Sequence, residues 1–262
     1  MSLYGVDERL GRPVTLGLAW LALLVCACGA WFAFQGANAP APLPARDMAG
    51  VLPASPFAPL RAGQLVLVFA MWTGLCVALM LPASAGAAFI YLRVARHRAG
   101  MRWPRAAAAM FTLGCLLSWT GFAALVTLIH WTLHDAGMLD PSLAIRHPAG
   151  AGLALVAAGV YQWTPAKHAC LQYCRAPLAG VLADWSPGLA GALWQGAEHG
   201  RSCLGCCWLL LLLPLAGGPG NPAVVAAVGM LLLAELRLEE GPLAACVTGL
   251  VMVAWGTRLL FP

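Results

Sequence analysis

Charge is what this sequence lacks. Asp, Glu, Lys and Arg together make up 10% of its 262 residues, against about 25% in an ordinary soluble domain. Fifteen basic and ten acidic side chains are too few to cover a water-soluble globule of this size. Soluble enzyme, disordered chain and secreted disulfide scaffold are therefore excluded together. The sequence also has no Gly-rich nucleotide loop, no Walker lysine and no Ser-His-Asp set, so energised pumping by this chain alone is not expected. What it has is apolar bulk: 61% of the residues are hydrophobic before 29 glycines are counted. The composition reads as an integral membrane protein whose first partner is the lipid bilayer.

A helix that crosses the hydrocarbon needs roughly 20 apolar residues. Uncharged runs mark seven candidates at about 14–35, 64–92, 106–132, 148–166, 192–216, 222–238 and 242–261. The expected fold is all-α, a polytopic transmembrane bundle of about seven spans forming one membrane domain over 1–262. The first run ends in a Trp-Phe pair and is too long for a signal's apolar core, so it is read as retained. Pro104, Pro187 and Pro222 sit where a first-turn proline loses no hydrogen bond. Ser186 and Asn221 are the matching N-caps, and Asp140-Pro141 is a start signal for the fourth span. Residues 36–62, with Pro40, Pro42, Pro44, Pro53, Pro56 and Pro59, read as a Pro/Ala-rich extracytoplasmic loop.

Basic residues orient the bundle. Arg93, Arg96, Arg98, Arg102 and Arg105 crowd the loop after the second span, which places that loop in the cytoplasm. Arg9 and Arg12 put the N-terminus on the same side, and Lys167 and Arg175 follow the fourth span there. The net charge of +5 is an orientation signal; no nucleic-acid partner is implied, because no extramembrane domain exists to hold one.

Cysteine is unevenly spread. Cys26, Cys28, Cys76, Cys115 and Cys246 stand within spans and read as small packing residues. The other five of the ten fall between 170 and 207, where an even spread would place about one or two. The first half of this window, TPAKHACLQYC, holds His168, Cys170 and Cys174, the two thiols sharing a helix face. The second half, EHGRSCLGCCW, holds Glu198 and a helical stripe of His199, Cys203 and Cys206 or Cys207. Gly200 and Gly205 leave room for neighbouring helices beside that stripe. Trp163, Trp194 and Trp208 adjoin the window and read as its shield, while most of the tryptophans read as an aromatic belt near span ends.

Three readings compete for the window. Packing accounts for Cys, Gly and Trp, but not for an ionisable pair where charge is costly. Thiol–disulfide exchange through Cys203-x-x-Cys206 places the nucleophile deep in an apolar helix, where burial works against a thiolate. A metal site uses all the residue types present. Four thiolates around zinc would leave two buried negative charges. Cu(I), held by one thiolate with neutral His, Met or thiol, stays near neutrality, although zinc accepts the same soft donors. Met80, one helical turn beyond Cys76 and just before Pro82, joins this set, with core packing as its bland alternative.

Taken together, these strings resemble a bacterial family of metal-binding integral membrane proteins defined by a domain of unknown function with an HG-x-x-C-x-GCCW motif. The likeness runs from the second to the sixth span. Its pattern includes a methionine-rich second span ending in Met-Leu-Pro, matched by Met80-Leu81-Pro82. An Asn opens the following hairpin span, matched by Asn221, and a Glu stands near that span's end, matched by Glu235. This sequence departs at Leu75, Cys76 and Leu79, where further methionines are expected. The resemblance implies copper-related metal binding in a bacterial inner membrane, and it implies no reaction.

Other polar residues are few. His130 and His134 share a helix face near the outer surface beside Asp135, Asp140 and His147. They read as interfacial residues in contact with water, or as an outer site where metal first binds. Glu235, Glu239 and Glu240 around Arg237 read as a solvated inner charge cluster. The leading expectation is storage, delivery or transport of a soft metal, most of all Cu(I), together with other membrane or copper-handling proteins. The alternatives are a membrane subunit of a metal-dependent oxidase or oxygenase, and a structural or assembly subunit.

Overall fold

In a computed structural model, residues 62–98, 102–140, 143–183, 185–237 and 241–261 are described. The expected first span, residues 36–61 of the expected loop, Arg9, Arg12, Cys26, Cys28, Pro141, Glu239 and Glu240 lie outside them, while Ala62 already belongs to a helix. Among the described residues the regular elements are all helices: α1 (Ala62–His97), α2 (Pro104–Asp135), α3 (Pro148–Tyr161), α4 (Pro165–Arg175), α5 (Pro177–Ala183), α6 (Gly188–Gly217), α7 (Pro222–Arg237) and α8 (Gly241–Leu260). Three are long and apolar enough to cross a membrane: α1 through Gly63–Pro82, α2 and α6. α3, Pro222–Leu236 of α7 and Ala245–Leu260 of α8 are shorter apolar helices.

Proline and local capping set the helix starts. Pro104 opens α2, and Asn221 Oδ1 accepts from Ala223 N at 3.0 Å to open α7. Two start signals act elsewhere. Asp140 Oδ1 accepts from Ala144 N at 3.0 Å in a loop where Leu143 has φ +64°, and α3 starts only at Pro148. Pro187 precedes α6 in extended backbone, and no side chain caps that end. The chain enters α6 through Gly188 at φ +81°, a conformation open to glycine at little cost.

The expected fourth span at 148–166 is broken. Turn bonds from Trp163 N to Val160 O and from Thr164 N to Tyr161 O end α3. Pro165 supplies no donor to continue it, and Thr164 caps the start of α4 by accepting from Lys167 N. The chain nevertheless runs on down α6. Ile145 N bonds Leu215 O, the Tyr161 ring meets the edge of Trp208, Cys170 lies against Gly205, and Cys174 meets Cys203. α3 and α4 together form one interrupted traverse antiparallel to α6, which is how the two halves of the cysteine window come together.

Small residues close the helix pairs. A Cβ on Gly196 would stand 1.9 Å from Phe111 O, and one on Gly114 would stand 2.1 Å from Leu193 O. The α2 and α6 backbones thus touch directly, as membrane helices do at small-residue interfaces. Ser118 Oγ donates to Ala197 O at 2.8 Å and Cys115 Sγ to Gly196 O at 3.2 Å across the same seam. The Cys115 thiol is therefore a packing residue that also donates. α3 and α8 pair by the same means, Gly152 against Gly256 and Gly159 against Gly249.

Candidate metal centre

α6 supplies the backbone of the site. Along it His199, Cys203, Cys206 and Cys207 are all buried, as one-turn and two-turn spacing on a single helix dictates. His199 Nε2 lies 3.5 Å from Cys203 Sγ. The Cys206 and Cys207 thiols both donate to Cys203 O, at 3.0 and 2.8 Å. α4 brings Cys174 Sγ to 3.3 Å from Cys203 Sγ. α1 brings Met80 Sδ to 3.5 Å from Cys207 Sγ. In the turn after Pro82, Ser84 Oγ donates to Met80 O at 3.1 Å.

Glycine makes the helix approaches possible. A Cβ on Gly205 would meet Cys170 Sγ at 2.7 Å, and one on Gly200 would meet the Cys115 Cα at 2.9 Å. Gly205 thus admits α4 and Gly200 admits α2. Between the helices lies a cavity of about 10 Å³ lined by Met80, Cys203, Cys206, Cys207, Leu232, Glu235 and Leu236. That is room for about one small sphere, walled by three thiols, a thioether and one carboxylate.

The carboxylate belongs to a buried polar trio that the sequence reading missed. Lys167 Nζ lies 2.7 Å from Glu235 Oε2, the two side chains 0% and 2% exposed. Lys167 also donates to Gln162 Oε1. Glu235 Oε1 and Gln162 Nε2 are buried without a hydrogen-bond partner. Glu235 is therefore not part of a solvated inner cluster. α4 covers it, and the only lysine in the 262 residues neutralises it. That single lysine inside the cysteine window was the available signal.

Two expected ligands stand apart from the sulfurs. Glu198 pairs with Arg201 on the surface of α6, Arg201 Nε donating to Glu198 Oε2 at 3.1 Å. His168 is half-buried on the turn of α4 opposite Cys170, because residues two apart lie on opposite sides of a helix. Among the described residues no three His, Cys, Asp or Glu side chains are already drawn together as a closed metal site. The arrangement is one of sulfur pairs around a small cavity.

The outer histidines and the tryptophans also differ from expectation. His130 is fully buried, with its Nδ1 accepting from Trp72 Nε1 at 3.4 Å, so it is not in contact with water. Trp72 and Trp119 are completely buried inside the bundle. Of the tryptophans expected to shield the cysteines, Trp208 stacks edge-on against Tyr161, and Trp194 is 71% exposed.

A family model described as PpoB2 copper chaperone matches residues 69–259. The chain belongs to the PpoB2 copper-chaperone family. The matched stretch runs from α1 to α8 and encloses Met80, all five clustered cysteines, His199 and the Lys167–Glu235 pair. Neither a curated protein nor a solved structure matches the chain. Membership in the PpoB2 family carries a copper-related role, in keeping with the thiol, thioether and imidazole donors at the site. Zinc has no comparable support.

Proposed function

We propose that this chain is an integral copper chaperone of a bacterial inner membrane. It takes up Cu(I) between α1, α4 and α6 and hands it to a copper-requiring partner. The ligands proposed are Cys174, Cys203, Cys206, Cys207 and Met80, with His199 at the edge and Cys170 in reserve beside Gly205. The observation that carries the reading is the small cavity in which Met80 faces the α6 thiols, with Cys174 closing on Cys203 from α4. Soft sulfur donors select Cu(I) among the biological metals, and a thiolate–thioether pair around it adds no net charge to an apolar interior. The neighbouring Lys167–Glu235 pair is neutral as a unit and supports the same low-charge site.

Six apolar helices, with α3 and α4 taken as one interrupted traverse, and the run at 14–35 make seven crossings. The arginines at 93–105 then face the cytoplasm, as does the N-terminus.

Elemental analysis of protein purified in detergent tests the copper reading. Near-stoichiometric copper in the wild type, lost in a His199→Ala, Cys203→Ala double variant, is expected. A wild type that stays metal-free after Cu(I) loading overturns it.

A further inference from the structure

A second, much larger cavity opens at the end of the bundle where the arginines gather. It holds about 530 Å³, in the range that encloses a small organic molecule and far beyond what an ion needs. Phe111, Tyr173, Trp185 and Trp194 wall it, and His199 stands among its lining residues. Gln195 also lines it; only 6% exposed, it donates through Nε2 to Val181 O at 3.3 Å and leaves Oε1 buried without a partner. The Arg98 guanidinium sits 5.4 Å over the Trp185 ring, putting positive charge at the rim. Among the described lining residues the one acidic group, Glu198, is already paired with Arg201.

Resting on the copper reading above, we propose that this cavity is the docking site for a small anionic thiol complex of Cu(I), of the size of a tripeptide thiolate. The carrier's apolar parts lie on the aromatic walls, and its negative charge faces Arg98. His199 connects the cavity to the thiols, since its Nε2 is 3.5 Å from Cys203 Sγ and Cys174 is 3.3 Å beyond. Transfer is then ligand exchange. The first step breaks one copper–sulfur bond of the carrier and forms one to Cys203, whose proton passes to the departing thiolate. The second replaces the remaining carrier thiolate by the neutral Met80 thioether, which lines the same small cavity as Cys203. One carrier leaves as thiol and one as thiolate, so the negative charge stays outside, the copper is neutral in the bundle, and no electron or solvent proton is exchanged.

The test loads detergent-solubilised full-length protein from two sources, the Cu(I)–glutathione complex and Cu(I) stabilised by acetonitrile alone. Ala183, exposed at the cavity, is changed to Trp to block the mouth, and Arg98→Gln removes the charge at its rim. Both variants are expected to load from the glutathione complex at least tenfold more slowly while loading from acetonitrile at the wild-type rate. Equal rates for variant and wild type from glutathione overturn the proposal, as does an equal slowing from both sources. A wild type that loads from acetonitrile but not from glutathione sinks the carrier site alone. One that loads from neither sinks the copper reading beneath it.

Discussion

Lys167 and Glu235, sixty-eight residues apart in sequence, meet at 2.7 Å in the interior of the bundle, next to a cavity lined by three thiols. The pair ties the interrupted α3–α4 traverse to α7, and does so where an unpaired charge is very costly. Removing one partner therefore exposes the other. Lys167→Met or Glu235→Leu alone is expected to lower stability by about 3–5 kcal/mol. The double replacement should recover most of that loss. Thermal unfolding of the three variants in one detergent reads the difference. A double variant no better than the singles would show that the pair also carries packing that apolar side chains do not replace.

The α2–α6 seam should be intolerant of any added side chain. Gly196→Ala places a Cβ where Phe111 O already stands, so the helices must part, at a cost of about 1–3 kcal/mol. Gly121→Ala on the same α2 helix meets nothing. It should be neutral or stabilising by up to about 1 kcal/mol through helix propensity. The contrast between these two substitutions checks the seam against a general effect of losing glycine.

Copper affinity should divide the cysteines by position. Cys203→Ser and Cys174→Ser are expected to weaken Cu(I) binding by about tenfold or more, the scale at which disturbing a metal's immediate surroundings is felt. Cys246→Ser, exposed on α8, should leave it unchanged. Competition against a Cu(I) chelator of known affinity measures this. Equal losses at all three positions would move the site away from α4 and α6.

Metal removal gives an independent readout of the same site. Copper-loaded protein should resist alkylation at Cys174 and Cys203, and chelator treatment should restore it, followed by mass spectrometry of the peptides. Cys246 labels alike in both states if the copper sits where proposed.

Membrane orientation is tested by a cysteine placed at Arg98 or Arg102. An impermeant thiol reagent should reach it only from the cytoplasmic side, as the arginine distribution requires. Labelling in intact spheroplasts would invert the whole bundle.

Helix content and the site's main strip were legible from the residues alone. Apolar length, prolines and Asn221 located α1, α2, α3, α6, α7 and α8, and one-turn spacing put His199, Cys203, Cys206 and Cys207 on one face of α6. Met80 was named because its spacing and Pro82 marked it. Only the tertiary structure decided which face of each helix turns inward. In an apolar solvent the lipid side and the bundle side of a helix are equally hydrophobic, so periodicity does not tell them apart. That is why Glu198 and His168 were grouped with the sulfurs, and why His130 read as interfacial. The break at 162–164 and the meeting of Gln162, Lys167 and Glu235 depend on long-range packing between α4 and α7. A charge deficit opened the reading of this sequence. The structure puts its only lysine, fully buried, beside the thiols, where neutrality had to come from a partner on another helix.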